Sequence, residues 1–206
     1  MVSELTSITI GSDVRCSDGA CGTLTRLVVD PSFDVLTHVV VAPERAVSRL
    51  VPIETVGAVR DGVELTCTLG AFNTLEPAEW TEEAPIDPGG WPGYQRSQIP
   101  GWCYFGIMMG EAAASPPIVT YERIPEGEVV LRRGQHAHAS NGAIGHVQGV
   151  VVRSDDHRLA GVLLDEGHLW SKRRVAIPIR AIKEFGDGVR LMLTKDQVRC
   201  LPAASI

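Results

Sequence analysis

The fold is decided by a stretch that occurs twice, as SDGACGTLTRLVV at residues 17–29 and as SNGAIGHVQGVVV at residues 140–152. Each copy begins with an Asp-Gly or Asn-Gly turn signal, which favours a tight hairpin because these residues tolerate a positive φ. Each copy ends in a run of mostly β-branched apolar residues, which is typical of a buried strand. The stretch therefore predicts two hairpins of the same design.

The match between the two copies continues beyond these hairpins. The copies are first 123 positions apart and later 126. The later matches are HVVV at 38–41 with GVLL at 161–164, VPI at 51–53 with IPI at 177–179, and DGVEL at 61–65 with DGVRL at 187–191. The second copy therefore has about three additional residues between 164 and 177, and because insertions in repeats fall in loops, we expect a longer loop there.

Each copy contains five or six short strand signals in roughly 60 residues. Pro52 and Pro178 interrupt two of them, so these strands should lie at a sheet edge or begin at the proline. A sheet of this size removes its edges by closing on itself into a small barrel. Thr194 predicts a helix N-cap near the end of the chain. We therefore predict an all-β fold: two small β-barrels in tandem, with a short terminal helix.

The order of these signals resembles the PRC-barrel family: an Asp/Asn-Gly turn, a G-x-L/V-x-x-x-V-V strand, a second apolar strand, h-P-I and D-G-V-x-L. The barrels of the photosynthetic reaction centre H subunit and of the ribosome-maturation factor's C-terminal domain belong to this family. The resemblance covers about residues 8–76 and 128–200. It implies two PRC-type β-barrels with a binding or assembly role, and no shared catalytic residues.

The residues between the two copies differ in composition. Residues 77–127 hold eight of the thirteen prolines, all three tyrosines and three of the four tryptophans. We predict a first barrel at 1–76 (the N-terminal repeat), an irregular Pro/aromatic-rich strap at 77–127, and a second barrel at 128–206 (the C-terminal repeat). The strap could pack within the chain, form an arm that binds a partner or a second copy, or remain a disordered tether. The candidate anchors of a binding arm are Trp91, Tyr94, Trp102 and Tyr104.

Charge is unevenly distributed along the chain. The formal net charge is −6, yet residues 128–206 carry twelve Lys and Arg against eight Asp and Glu. Trp170 with Lys172, Arg173 and Arg174 is a candidate contact site at a loop tip, for a protein or for RNA. A single cation cluster is thin beside the basic faces of nucleic-acid-binding proteins, so we expect a protein partner.

His136 and His138 are the candidates for metal binding, because an H-x-H pair on a strand places both rings on one face. A third ligand would have to come from His146, His157, His168 or an acid, and no spacing in the sequence demands one. Five cysteines without a C-x-x-C pair indicate small buried apolar groups rather than a disulfide or zinc framework. We expect no cofactor and no bound metal.

No phosphate-binding glycine loop and no nucleophile motif occurs in the sequence. The first residues lack the pattern of a signal peptide, and no apolar run approaches the length of a membrane span. We therefore expect a non-enzymatic, cytosolic interaction or assembly module without a membrane span, whose partner is a protein and could be a second copy. The alternatives are RNA or ribosome-associated binding through the basic C-terminal repeat, and a small-ligand or metal-binding protein.

Overall fold

The computed structural model describes residues 4–59, 62–83, 118–166 and 173–204. In these residues the backbone forms sixteen strands and two short α-helices. The strands are β1 (Leu5–Thr9), β2 (Asp13–Cys16), β3 (Gly19–Asp30), β4 (Val35–Ala42), β5 (Arg49–Pro52), β6 (Val56–Val59), β7 (Val63–Leu65), β8 (Glu79–Glu83), β9 (Ile118–Glu122), β10 (Val129–Arg132), β11 (His136–Ala139), β12 (Gly142–Arg153), β13 (Leu159–Glu166), β14 (Arg173–Pro178), β15 (Ile182–Phe185) and β16 (Val189–Leu191). The helices are α1 (Leu69–Thr74) and α2 (Lys195–Arg199), and 3₁₀ turns lie at Ile53–Thr55 and Ile179–Ala181.

Two seven-stranded sheets hold most of these strands, and the predicted all-β fold is confirmed. The first sheet has the order β5-β4-β3-β2-β7-β6, and the second has the equivalent order β14-β13-β12-β11-β16-β15. Pro52 is the last residue of β5, and Pro178 is the last residue of β14. Both strands lie at one end of their strand order, where a residue without an N–H group is tolerated. No hydrogen-bonded pair in the described strands joins the two ends of either order, so closure of the predicted barrels is not detected.

The quoted stretches form the two expected hairpins, and each hairpin turn also fixes a helix. Cys16 lies opposite Gly19, and Ala139 lies opposite Gly142, which leaves a two-residue turn in each hairpin. Asp18 Oδ1 accepts a hydrogen bond from the backbone N–H of Leu69 at 2.7 Å. In the C-terminal repeat Asn141 Oδ1 accepts one from Lys195 N–H at 2.9 Å. The turn residues therefore position the first residue of each helix.

The helix predicted at Thr194 is confirmed, and its counterpart in the N-terminal repeat was missed. Thr194 caps α2 through the N–H of Gln197, whose side chain bonds back to the Thr194 N–H, so both halves of a capping box are present. Thr68 accepts from Ala71 N–H at 3.3 Å and begins α1 in the same way. The alignment of Thr68 with Thr194 is the sequence signal that could have predicted α1.

The two sheets exchange one strand each, which the sequence did not reveal. β1 belongs to the N-terminal repeat but pairs with β12 of the second sheet, where Ile8 faces Val150. β10 belongs to the C-terminal repeat but pairs with β3 of the first sheet, where Leu131 faces Leu27. The two pairings have the same register, because Ile8 and Leu131 are equivalent positions of the repeat, as are Leu27 and Val150. The exchange is therefore reciprocal.

After each exchanged strand, the chain returns to the sheet of its own repeat at a glycine. The Gly11 N–H donates to Leu24 O at 2.7 Å, and the Gly134 N–H donates to Val147 O at 2.9 Å. Both glycines have a positive φ, +101° and +82°. L side chains disfavour this conformation, so glycine permits the change of direction between the two sheets.

The exchange gives the two sheets a common core. One hydrophobic cluster includes Ile8, Leu27, Leu131 and Val150, each at most 1% exposed, together with apolar residues from both repeats. Glu128, just before β10, adds a polar contact across the exchange, because Thr37 Oγ1 donates to its Oε2 at 2.6 Å. The N-terminal and C-terminal repeats are thus joined through both backbone pairing and packing.

The ends of the predicted strap are more regular than expected. β8 and β9 pair antiparallel in a separate two-stranded sheet, with Trp80 opposite Tyr121. Contacts divide the chain into a body made of residues up to Ala78 and from Arg123 onward, and a second part from Glu79 to Glu122. The strap is therefore not irregular at 79–83 and 118–122, where polar and β-favouring residues form a hairpin stem. The division at 1–76, 77–127 and 128–206 stays a prediction.

The additional residues of the C-terminal repeat do not lengthen the loop between strands. Six residues separate β4 from β5, at 43–48, and six separate β13 from β14, at 167–172. β13 extends one residue farther than the equivalent of β4, and β14 begins two residues earlier than the equivalent of β5. The expectation of a longer loop is wrong, because the extra backbone is paired in the hairpin.

The exchange predicts where a core mutation acts. Ile8→Ala should speed hydrogen exchange mainly in β12, and Leu131→Ala mainly in β3, because each strand pairs with the sheet of the other repeat. Each change should lower the free energy of unfolding by about 2–5 kcal/mol, as expected for a truncated buried aliphatic side chain. Native-state hydrogen exchange measured by mass spectrometry checks this; a loss of protection that stays within the mutated repeat would contradict the pairing.

Candidate interaction surface

The structure describes only part of the predicted contact residues. Arg173 and Arg174 lie on β14, so they are strand residues and not the tip of a loop. The other predicted contact residues lie outside the described residues: Trp91, Tyr94, Trp102, Tyr104, Trp170 and Lys172. Their roles stay predictions.

Arg173 binds the end of the terminal helix. Its Nη1 donates to Arg199 O at 2.9 Å, and its Nη2 donates to Leu201 O. In the N-terminal repeat Arg49 Nη1 donates to Leu75 O at 2.9 Å. A cation satisfies the free carbonyls and the negative end of a helix dipole there. The two arginines lie at non-equivalent sequence positions, yet they cap the carboxyl ends of equivalent helices.

Arg174 has a partner on the neighbouring strand. Its Nε lies 3.3 Å from Asp165 Oδ1, and the two side chains are 33% and 17% exposed. Arg173 and Arg174 are therefore both engaged within the protein. This weakens the case for a free basic cluster that binds RNA.

Both sheets have a covered edge next to these arginines. The Leu50 N–H donates to Glu76 O at 2.9 Å, and the Ala78 N–H donates to Ser48 O at 2.8 Å. At the equivalent edge of the second sheet Val175 forms a bridge with Ala203, and the Ala204 N–H donates to Arg174 O at 2.9 Å. These segments occupy the strand edges that a partner would otherwise extend. A partner at these edges must therefore bind through side chains.

The hairpin of β8 and β9 exposes two stacked aromatic rings. Trp80 and Tyr121 have ring centres 4.7 Å apart at an interplanar angle of 22°. They are 43% and 44% exposed, so more than two fifths of the surface of each residue remains available to a partner. Glu79 and Glu122 lie opposite each other next to this pair. The strand signal IVTYE at 118–122 could have identified the pair, because it is rich in β-favouring residues.

Three exposed histidines lie on one face of the second sheet. His136 faces His146 across β11 and β12, with ring centres 4.9 Å apart. His138 lies on the same strand as His136, with ring centres 6.2 Å apart. His157 lies in the turn between β12 and β13, and His168 falls outside the described residues. In the described parts of the chain no group of three His, Cys, Asp or Glu residues is arranged to hold a metal ion.

The family comparison matches residues 138–198 to the PRC-barrel domain. This range includes most of the hairpin, the following strands and the terminal helix of the C-terminal repeat. Residues 138–198 are a PRC-barrel domain. The match begins at His138, the third residue of β11, and ends at Val198, within α2. PRC-barrel domains are in general protein-interaction or assembly modules. No curated protein matches the chain.

A cleft of about 560 Å³ lies in the N-terminal repeat, beside α1. Its polar lining includes Asp13, Arg15 and Glu44, and Phe72 contributes an apolar wall. In the C-terminal repeat the positions equivalent to Asp13 and Arg15 are His136 and His138. The two sheets therefore present different chemistry on equivalent surfaces, of mixed charge in one and rich in imidazole in the other.

Three cysteines of the N-terminal repeat lie close together: Cys16 and Cys21 are buried, and Cys67 is partly exposed. Burial raises the pKa of Cys16 to about 12, with a further contribution from its contact with Cys21. Burial also raises the pKa values of Cys21 and Cys67. These thiols stay protonated at neutral pH, and the thiol form is a poor nucleophile.

Among the helices of the described residues, none is both long and apolar enough to cross a membrane.

Adjacent arginines on β14 should differ in their effect on stability. Arg173→Met should lower the free energy of unfolding by about 2 kcal/mol, because it removes charged hydrogen bonds to two carbonyls. Arg174→Met should cost at most about 1 kcal/mol, the usual range for a partly exposed ion pair. Urea unfolding of both variants checks this, and equal effects would contradict the helix-capping role of Arg173.

The raised thiol pKa values predict an order of alkylation. Burial raises the pKa of Cys16 to about 12 and so keeps it in the thiol form at pH 8, and exposed Cys200 should therefore react with iodoacetamide at least ~100 times faster. Mass spectrometry of labelled peptides measures both rates, and the denatured chain provides the control. Faster labelling of Cys16 or Cys21 than of Cys200 would show an activated thiol.

Proposed function

We propose that the protein is a cytosolic, non-enzymatic protein-interaction and assembly module built from two PRC-type units. The PRC-barrel domain at residues 138–198 is the observation that carries this proposal. The N-terminal repeat is the second unit. The support for it is the equivalent strand order, the reciprocal register of β1 and β10, and the equivalent capping of α1 and α2.

The shared core suits such a module. Side chains in a common core resist independent movement of the two sheets, and loss of one exchanged strand would expose apolar surface of both. Loops and helices on the sheets therefore keep a fixed mutual arrangement. A rigid arrangement lowers the entropy cost of binding a partner at several points.

The hairpin of β8 and β9 is the surface that we assign to the partner. Stacked Trp80 and Tyr121 offer a large apolar area that is already ordered, and aromatic residues dominate the energy of most interfaces. This hairpin leads into the segment that contains Trp91, Tyr94, Trp102 and Tyr104. The two strands of the hairpin carry four Glu and no Lys or Arg in their sequence, which favours a partner with a net positive charge at its contact surface. A second copy, with its basic C-terminal repeat, is one such partner.

Site-specific photo-crosslinking in the native cell tests this assignment. A photoreactive phenylalanine analogue at position 121 should form an adduct with one particular protein, identified by mass spectrometry. The same analogue at Phe33, which is 68% exposed in the turn between β3 and β4, is the matched control and should form no such adduct. Adducts with copies of the chain itself would identify a homodimer, which light scattering then checks.

Affinity measurements with the identified partner complete the test. Trp80→Ala together with Tyr121→Ala should weaken binding at least ~30-fold, equivalent to about 2 kcal/mol. Tyr121→Phe keeps the ring and should bind normally, and so should Phe33→Ala. Equal crosslinking at positions 33 and 121 would contradict the proposal. So would a salt-dependent RNA gel shift that is lost on combining Lys172→Ala with Arg174→Ala.

A further inference from the structure

We propose that His136 and His146 form a binding site for a divalent transition-metal ion on the outer face of the second sheet. The two residues are direct cross-strand partners in β11 and β12. Both side chains are exposed, and their ring centres are 4.9 Å apart. This inference is independent of the assembly role, because it rests on a different surface.

The ring separation suits coordination of one ion by both imidazoles. Metal–nitrogen bonds of about 2.0–2.1 Å place the two ring centres roughly 5 Å apart when the nitrogen–metal–nitrogen angle is near 100°. That angle lies between the values for square-planar and tetrahedral coordination. The hairpin backbone fixes the two strands, so little rearrangement is needed for binding.

His138 does not complete the site. It lies opposite Ala143, and the register of β11 against β12 shifts between Ala137 and His138, which places His136 opposite His146. Its ring centre is 6.2 Å from that of His136, too far for an angle near 100° at one ion. The described residues supply no three-ligand group, so water completes the coordination.

The charges around the pair are mixed. Asp165 is the neighbour of His146 on β13, and its carboxylate partly offsets the charge of a bound cation. Arg174 bonds this carboxylate, and Arg190 lies beside His138 on β16, so both limit the affinity. The N-terminal repeat has Asp13 and Thr23 at the equivalent positions, so the site is specific to the C-terminal repeat.

The donor set selects the metal. Neutral imidazole suits Cu²⁺, Ni²⁺ and Zn²⁺, whereas Mg²⁺ and Ca²⁺ prefer oxygen ligands. The general order of stability places Cu²⁺ first among the divalent ions of the first row. We therefore expect one Cu²⁺ per chain, weaker binding of Ni²⁺ and Zn²⁺, and no competition from Mg²⁺.

Isothermal titration of the full, tag-free chain with CuCl₂ and with NiCl₂ tests the site. His136→Ala and His146→Thr should each weaken binding at least ~10-fold, because each removes one of two ligands. His146→Thr introduces the residue of the equivalent position in the N-terminal repeat. His138→Ala is the matched control on the same face, and its affinity should change less than ~2-fold. All three positions are exposed, and circular dichroism checks that each variant folds.

Electron paramagnetic resonance of the Cu²⁺ complex gives a readout that does not depend on affinity. The spectrum should show two nitrogen ligands in the protein and one in either single variant. Three outcomes would overturn the proposal: a single nitrogen ligand in the unmodified chain, equal loss of affinity in His138→Ala, or undiminished binding when His136→Ala and His146→Thr are combined.

Discussion

The reciprocal pairing of β1 with β12 and of β10 with β3 is the constraint on which the rest of the structure depends. Each sheet includes one strand from the other repeat, so neither sheet has its full set of backbone partners without both repeats. Ile8 and Leu131 bring apolar side chains into the common core by the same route. The mutual position of the two repeats therefore follows from strand pairing and not from a surface contact between finished domains.

That constraint explains which surfaces are free for binding. The exchanged strands lie against the long strands β3 and β12, and the segments at 76–78 and 203–204 cover β5 and β14. Much of the backbone is thus committed to internal pairing, as is usual where sheet edges must be protected. Side chains on loops, on the hairpin of β8 and β9 and on the outer faces of the sheets remain to contact partners or ions.

Local signals in the sequence predicted local structure well. The Asp-Gly and Asn-Gly turns, the end-strand prolines Pro52 and Pro178 and the cap at Thr194 all depend on neighbouring residues, and all are confirmed. The strand exchange was not predictable in this way, because an exchanged strand has the same alternation of apolar and polar residues as a strand that pairs within its own repeat. The cross-strand pair of His136 and His146 was likewise hidden, because register depends on a bulge that no residue type marks. Arg173 and Arg174 looked like a cation cluster in sequence, whereas alternation along β14 gives them separate partners.

The pairing of Leu5 with Arg153 also has a consequence for synthesis on the ribosome. β1 is made before the rest of the N-terminal repeat, and its partner β12 is made only after that repeat is complete. In the first sheet, β3 likewise lacks one of its pairing partners until β10 has been made. The nascent chain therefore carries β1 without its partner while residues 10–141 are made, and the pairing of both exchanged strands depends on contacts distant in sequence.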